Sequence, residues 1–424
     1  MTPPPTGSGP YALKTVLPNG VRVVTERLDH VDSVSLGLWT GTGSRNDPPG
    51  REGITHFVEH MLFKGTTTRS TLQIAEAIDD VGGHVNGMTD REEMCLWAAT
   101  TTEQCGPALG LLFDLLLHSV CSEEDVARER DVVLQEIGHV QDAAEDWMHE
   151  LVPQTAWPDH LLGRALMGSA ESVGGIGCES LRQYLATEVQ AADRLLVTAA
   201  GKVEHGVIVE LAAALAGEMK RGAPPRHMEP PAFHAERRLI HRAESEVHFC
   251  LAFPGISRTD AWRHAFSVLD TVLGGGSSSR LFQEIRENRG LAYDLGSYLQ
   301  SYREGGLFVV AAGASRKNLD LVLDLIEQEV ARLREEGIRE EELARAKVQL
   351  KVALALAAES TSFRMHHLAA SETHWGRVLP FDEIAAGVDR VTAEDVHEVA
   401  RGVLQEGKRS LVAIGPFDED RRAR

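Results

Sequence analysis

Residues 56–66 of the 424-residue chain read HFVEHMLFKGT, and this stretch contains the most specific pattern in the sequence. On a helix, His56 and His60 lie one turn apart and point the same way, so both imidazoles can bind one metal ion. Glu59 lies on nearly the same face, close enough to act on a metal-bound water without being a ligand itself. Two surface histidines and a glutamate can also occur together by chance, so the pattern needs support from elsewhere in the chain.

A hydrolytic zinc site takes three protein ligands and keeps one position open for water, so a third ligand must come from another segment. The segment SEEDVARERDVVLQEIGHVQD begins at Ser122, a residue suited to capping a helix, and its early acids suit the positive end of the helix dipole. Glu129 and Glu136 lie two turns apart on this helix and therefore share one face. Spacing alone does not choose between them, and an acidic helix most often turns such residues to solvent.

The segments around these two helices alternate between strand and helix patterns. ALKTVL and VRVVTER, separated by a Pro-Asn-Gly turn at residues 18–20, predict two strands, and SVSLGLW at residues 33–39 predicts a third. Residues 51–64 have a helical pattern, and Ser70 with Gln73 forms a capping box that starts a second helix. HVNGMT and EEMCLWAA then follow as two further predicted strands.

The length and the proline distribution predict two domains. A chain of 424 residues exceeds what one hydrophobic core usually organises. Residues 218–235 are proline-rich, so we predict a linker there between domains at 1–217 and 236–424. The second half repeats the order strand, helical region, glycines, strand, which indicates a duplicated domain. We therefore predict an α+β fold of two similar domains, each a mixed, mainly antiparallel β-sheet covered by helices.

The composition argues against several classes of partner. The 43 Lys and Arg against 63 Asp and Glu give a formal net charge of −20, which repels nucleic acid and anionic membranes. No apolar run reaches the roughly 20 residues that a transmembrane helix needs. The N-terminal MTPPPTGSGP resembles neither a secretory signal nor an organellar targeting sequence. Five cysteines without a CxxC pair are typical of free thiols, so we expect a cytoplasmic protein.

The stretch HFVEHMLFKGT resembles the inverted zinc motif, HxxEH, of the pitrilysin-type M16 metallopeptidases, the inverzincins. In that family a glutamate about 76 positions after the second histidine completes the metal site, and 136 − 60 = 76 leads to Glu136. The resemblance therefore implies one Zn²⁺ per chain, bound by His56, His60 and Glu136, with Glu59 as the general base. It also implies that Glu129 supports catalysis from outside the ligand set.

Two further segments extend the resemblance over nearly the whole chain. GGHVNGMTDREEM is similar to the family's edge strand that pairs with the substrate backbone. This implies substrate binding by Asn86, Gly87 and Thr89, with Gly87 in place of the usual alanine. LGGGSSSRLFQEIRENRGLAY resembles the C-terminal segment whose arginine and tyrosine reach the active site, here Arg286 and Tyr293.

In its size the chain resembles the mitochondrial processing peptidases and their two-domain bacterial relatives. The segment GGGSSSR is too short to be the glycine-rich loop of the non-catalytic processing subunit, so the chain resembles the catalytic subunit. In that subgroup two acids contact a substrate arginine, and their spacing leads to Asp146 and Glu150, although helix acids are as commonly solvated. The resemblance implies a bacterial zinc endopeptidase that hydrolyses unfolded peptides or presequence-like segments inside a closed homodimeric chamber, with basic peptides as candidate substrates. Two alternatives stay open: a non-catalytic structural subunit of core-protein type, and the catalytic half of a heterodimer.

Overall fold

The computed structural model of the chain describes residues 12–223 and 228–417. Residues 224–227 of the predicted linker and the N-terminal MTPPPTGSGP lie outside the described residues. The strands are β1 (Leu13–Val16), β2 (Arg22–Arg27), β3 (Ser33–Trp39), β4 (His84–Thr89), β5 (Met94–Thr101), β6 (Leu196–Gly201), β7 (Arg237–His241), β8 (Val247–Pro254), β9 (Ala292–Ser301), β10 (Gly306–Ala314) and β11 (Ser410–Gly415).

The helices are α1 (Ile54–Leu62), α2 (Thr71–Val81), α3 (Cys105–His118), α4 (Glu123–Asp142), α5 (Ala144–Ala156), α6 (Ala170–Gly174), α7 (Cys178–Tyr184), α8 (His205–Ala216), α9 (Arg263–Leu273), α10 (Leu319–Glu336), α11 (Glu340–Ala357), α12 (Thr361–Trp375), α13 (Phe381–Arg390) and α14 (Ala393–Val403). In the described parts of the chain, none of them combines the length with the low polarity that crossing a lipid bilayer requires.

The first sheet has six strands in the order β1-β2-β6-β3-β5-β4. β2 and β6 run parallel, and the other neighbouring strands are antiparallel. The predicted turn at residues 18–20 joins β1 to β2, with Gly20 at φ 103°, a backbone angle that favours glycine. The predicted strand at residues 33–39 coincides with β3, and HVNGMT forms β4 at the edge of the sheet.

The second sheet has five strands in the order β7-β11-β8-β10-β9, which repeats the order β2-β6-β3-β5-β4 of the first sheet. The repeat includes the strand directions, because β7 and β11 form the one parallel pair of this sheet, as β2 and β6 do in the first. The prediction of two similar, mixed and mainly antiparallel sheets covered by helices is therefore confirmed.

Each sheet has a helix from a distant part of the chain packed on it. In the first sheet, α12 lies on β2, β3 and β6, where Met365 and Leu368 are buried against Val24 and Trp39. The indole of Trp39 donates a hydrogen bond to Thr198 Oγ1 at 2.8 Å, which satisfies its only polar atom inside this core.

In the second sheet, α5 covers one face through Met148, Leu151 and Val152, which pack with residues of β8, β10 and β11. A second and larger cluster of this unit draws its buried side chains from α9, α10 and α14 together with β8 and β10. The sheet is thus covered by helices on both faces.

The described residues divide into two compact units, the first within Met1–Gln135, Leu166–Arg226 and Leu356–Phe381, the second within Glu136–Ala165, His227–Ala355 and Asp382–Arg424. These units differ from the predicted ranges 1–217 and 236–424 because α12 packs on the first sheet and α5 on the second. The boundary between Gln135 and Glu136 falls inside α4, which is one continuous helix.

Candidate metal centre

Helix α1 has one apolar and one polar face. It runs over Ile54–Leu62 and is therefore shorter than the helical segment predicted at residues 51–64. The buried face consists of Ile54, Phe57, Val58, Met61 and Leu62, all at most 1% exposed. Because this face is held in the core, the remaining face of the helix presents His56, Glu59 and His60, which are each partly exposed.

The polar face of α1 meets a carboxylate of α4. One ligand atom from each of His56, His60 and Glu136 lies within 4.8 Å of the other two. Among the described residues, this is the one group of three or more His, Cys, Asp or Glu side chains with the spacing to hold a metal ion. Two imidazoles and one carboxylate are a donor set that zinc enzymes use when a coordination position stays open, so these residues fit the metal.

The two imidazoles of the group lie with their ring centroids 4.7 Å apart and their planes at 68°. Burial, and in smaller measure the neighbouring His60, lowers the pKa of His56 to about 3. His56 is therefore neutral at neutral pH, and its lone pair is available to a metal ion without the loss of a proton.

Glu129 contacts the site without belonging to the ligand group. Its Oε2 is 3.3 Å from Nδ1 of His60, and its Oε1 is 2.9 Å from Nζ of Lys64. Because a carboxylate can only accept, Nδ1 of His60 is the donor, which leaves Nε2 free of a proton and able to bind metal. The structure thus separates the two glutamates that sequence spacing left equivalent: Glu136 joins the ligand group, and Glu129 orients His60.

The Glu59 side chain of α1 contacts the edge strand β4. Thr89 Oγ1 donates a hydrogen bond to Glu59 Oε2 at 2.5 Å. Gly87 lies under the same carboxylate, and a Cβ added to Gly87 would stand 2.7 Å from Glu59 Oε1. The glycine in place of the family's usual alanine therefore makes room for Glu59. Asn86, the third predicted substrate residue, is exposed on the same strand, and its Oδ1 accepts from the Gly87 amide at 2.9 Å.

Two family models match the chain: "Insulinase (Peptidase family M16)" over residues 22–170 and "Peptidase M16 inactive domain" over residues 176–350. An uncharacterized zinc protease of Streptomyces coelicolor is 38% identical over 97% of this chain and 91% of its own length. The chain belongs to peptidase family M16. The predicted family is thereby confirmed, and an uncharacterized zinc protease of Bacillus subtilis, YmxG, is 36% identical over 94% of this chain and 97% of its own length.

Two solved structures have the M16 fold of this chain. A peptidase M16 inactive domain from Pseudomonas fluorescens superposes with a TM-score of 0.89 at 21% identity, covering 96% of this chain and 98% of its own. A protease from Helicobacter pylori superposes with a TM-score of 0.88 at 18% identity, covering 95% and 99%. At these identities both structures support the fold alone.

The two halves of this M16 chain share a sheet topology but not a metal motif. The helix that follows β8 is α9, the counterpart of α1, and it reads RHAFSVLDTVL. It contains a single histidine, His264, whose pKa is lowered to about 4 chiefly by burial. The histidine pair of α1 therefore has no counterpart on α9.

The predicted Arg286 and Tyr293 contact each other in the second unit. Arg286 Nη1 donates to the backbone oxygen of Tyr293 at 2.8 Å, and the guanidinium lies 4.9 Å from the ring centre of Phe282. The Tyr293 side chain is 76% exposed near the start of β9. The M16 resemblance alone assigns these two residues to the active site, and that assignment stays a prediction.

The predicted Asp146 and Glu150 lie one turn apart on α5 of the second unit, with Asp146 exposed and Glu150 half-buried. Between them, His149 Nδ1 is 2.8 Å from the hydroxyl of Tyr298 on β9. Their role in substrate recognition also stays a prediction.

Lys64 is a site residue that the sequence analysis missed. It lies just beyond the end of α1, and its ammonium group neutralises the carboxylate that orients His60. The sequence HFVEHMLFKGT contains a feature that indicates it, a lysine four positions after the second histidine. Its partner Glu129 is distant in the chain, so local spacing alone could not indicate the pair.

Glu129→Gln should lower the affinity of the site for Zn²⁺ by about 10- to 100-fold, since loss of the charge weakens the orientation and basicity of the His60 ligand. Competition with a chromophoric chelator measures this affinity. Glu124→Gln is the matched control, because Glu124 is on the same helix with a side chain 81% exposed. Equal zinc affinity in the two variants would contradict the assigned role of Glu129.

Proposed function

We propose that the protein is a zinc-dependent endopeptidase. The observation that carries the proposal is the group His56, His60 and Glu136, with Glu59 on the same face of α1 and outside the ligand set. A metal-bound water needs a base within reach that does not itself bind the metal, and Glu59 on the same helix face meets that need. The printed names of the relatives, zinc proteases, agree with this chemistry.

Zn²⁺ held by the three ligands would lower the pKa of a bound water toward neutrality and polarise the carbonyl of the scissile peptide bond. Glu59 accepts the proton of the attacking water at its carboxylate and later delivers a proton to the leaving amine. Thr89 holds the Glu59 carboxylate by its hydroxyl, and Glu129 holds His60 in the tautomer that leaves Nε2 for the metal.

The substrate backbone would pair with β4. In the described part of the chain β4 pairs with β5 on one side only, so its outer edge is open to an extended peptide. Asn86, Gly87 and Thr89 lie on this strand. Because Thr89 and Gly87 also contact Glu59, a peptide on this edge would lie next to the general base.

Arg286 and Tyr293 complete the proposal on the strength of the M16 resemblance. Each carries a donor suited to the oxyanion that forms when the water attacks. We further propose a homodimer whose closed chamber takes up unfolded or presequence-like peptides, in the bacterial cytoplasm.

The structural-subunit alternative is disfavoured by the completeness of the site. A chain that serves only as a core-type subunit needs no ligand set, no base and no orienting glutamate, yet His56, His60, Glu136, Glu59 and Glu129 are all present together. A heterodimer in which an unlike partner supplies the arginine and tyrosine has less support than a homodimer, because this chain already contains both residues.

Glu59→Gln should keep one Zn²⁺ per chain and lower peptide turnover by about 10²- to 10⁴-fold, because the amide cannot accept the water proton. Metal analysis and a fluorogenic peptide assay on the same sample measure both quantities. Glu103→Gln, at an exposed position before α3, serves as the control and should retain wild-type turnover. Near wild-type hydrolysis by Glu59→Gln would refute the mechanism.

The homodimer is tested by sedimentation velocity at micromolar concentration with peptidase activity assayed across the same dilution series. We expect an active species of about twice the chain mass of 46.3 kDa. A monomer with full specific activity would exclude the closed dimeric chamber but not the metal centre.

A double variant, Asp146→Asn with Glu150→Gln, should reduce any preference for basic residues near the cleavage site by about fivefold, since an exposed ion pair contributes up to about 1 kcal/mol. Mass-spectrometric analysis of a cleaved library of unfolded peptides gives this preference. Glu145→Gln is the matched control, being exposed on the same helix. An unchanged preference in the double variant removes the two acids from the substrate site.

A further inference from the structure

A buried carboxylate, Asp47, lies at the N-terminus of the metal-binding helix α1. Its side chain is 3% exposed. Oδ2 accepts a hydrogen bond from the Gly53 amide at 2.6 Å, and Oδ1 accepts from the Thr55 amide at 3.3 Å and from the Thr55 hydroxyl at 2.5 Å. The Asp47 carboxyl group thus accepts three hydrogen bonds from the start of α1.

The first turn of α1 depends on Asp47 because the ordinary capping position cannot supply a side chain. That position is Gly53, at φ 90°, and it makes no side-chain cap. A Cβ on Gly53 would stand 2.3 Å from the backbone oxygen of Met167, so only glycine fits there. The free amides at the start of a helix need acceptors, and the Asp47 carboxyl oxygens supply them from six residues upstream.

A tyrosine from a distant segment closes this polar network. The Tyr184 hydroxyl is 2.8 Å from Thr55 Oγ1 and 3.4 Å from Asp47 Oδ1. Tyr184 is 4% exposed and Thr55 is fully buried. Since the Thr55 hydroxyl has one proton, donation to Asp47 leaves its lone pairs to accept from Tyr184. The start of α1 is therefore fixed to the chain at Asp47 and to the end of α7.

The polar network is directly connected to a metal ligand through the backbone, because Thr55 is the residue before His56. Imidazole nitrogens lie roughly 5–6 Å from a helix axis, so a turn of α1 by about 10° moves them by about 1 Å. A functional side-chain set must be held to within about 0.5 Å to keep its geometry. A turn of about 10° at the start of α1 would therefore be enough to misplace His56 and His60.

We propose that Asp47 is a positioning residue of the metal centre, which sets the orientation of His56 and His60 toward Glu136 through its hydrogen bonds to the first turn of α1. The inference rests on the metal centre proposed above and assigns it a supporting residue. Asp47 is not a member of the candidate ligand group, which consists of His56, His60 and Glu136.

The negative charge of Asp47 does not stabilise the folded protein at neutral pH. Burial raises the pKa of Asp47 to about 7, against the lowering effect of its hydrogen bonds, chiefly those from Thr55 and Gly53. The unfolded chain has an ordinary carboxyl pKa of about 4, so the folded protein binds this proton more tightly. The stability that Asp47 contributes is therefore fully present below about pH 4 and is lost as the pH rises through about 7.

The test is Asp47→Asn in the full chain, which keeps the shape of the side chain but places an amide nitrogen where a second oxygen accepts. We expect the affinity for Zn²⁺ to fall about 10- to 100-fold. The visible absorption spectrum of the Co²⁺-loaded protein should change, because it reports the geometry of the ligands. The thermal midpoint of the metal-free protein should change by only a few degrees.

Asp270→Asn is the matched control, since Asp270 lies on α9, the counterpart of α1 in the second sheet. Burial raises the pKa of Asp270 to about 6, and its Oδ1 accepts from Ser297 Oγ at 2.6 Å. This variant should leave zinc affinity and the cobalt spectrum unchanged. Thr55→Ser, which keeps the hydroxyl, should behave as wild type, whereas Thr55→Val should resemble Asp47→Asn and replaces it as the test if that variant does not fold.

Wild-type zinc affinity and an unaltered cobalt spectrum in Asp47→Asn, or in Thr55→Val in its place, would overturn the positioning role. A wild-type chain that binds neither Zn²⁺ nor Co²⁺ would instead overturn the metal centre itself, and the positioning role with it. The two failures are therefore distinguished by the wild-type measurement.

Discussion

The burial of one face of α1 is the constraint on which the candidate site depends. Phe57, Val58, Met61 and Leu62 are removed from water almost completely. At about 25 cal/mol per Å² of apolar surface, each such side chain contributes roughly 1.5–3 kcal/mol, so the helix cannot turn over without losing several of these contributions. The opposite face, with its two histidines and Glu59, has to point away from the core as a consequence.

Burial determines which face of α1 points into the core. Polar contacts along the helix then fix its orientation more closely. Asp47 holds the start of α1, Thr89 holds Glu59 in its middle, and Glu129 holds His60 near its end. Each of these partners comes from a different segment of the chain. The site is thus a short helix fixed at three points, and only Glu136 has to arrive from outside to complete a ligand set.

Much of this arrangement could be predicted from the sequence, because it depends on local spacing. The spacing of His56 and His60, the capping box at Ser70 and the strand at residues 33–39 are all decided within a few residues, and the structure has each of them. Features that depend on distant contacts could not be predicted in the same way. Glu129 and Glu136 share a helix face, so helix spacing does not separate them; the family resemblance assigns Glu136 to the ligand set, and the structure places Glu129 against His60.

The role of Asp47 also depends on contacts that local spacing does not indicate. It precedes Pro48 in a segment that reads as a turn, and nothing local indicates that its side chain caps a helix beginning at Ile54. The same holds for α12, whose apolar residues could pack on either sheet and pack on the first. The strand order of the second sheet repeats that of the first, while α9 occupies the place of α1 without its metal motif.

X-ray absorption at the zinc edge on the purified, zinc-loaded chain tests the central claim most directly. We expect two imidazole ligands together with oxygen donors at about 2.0–2.1 Å, and the loss of one imidazole contribution in His56→Ala. A sulfur scatterer at about 2.3 Å, or a spectrum that His56→Ala leaves unchanged, would contradict a metal centre formed by α1 and α4.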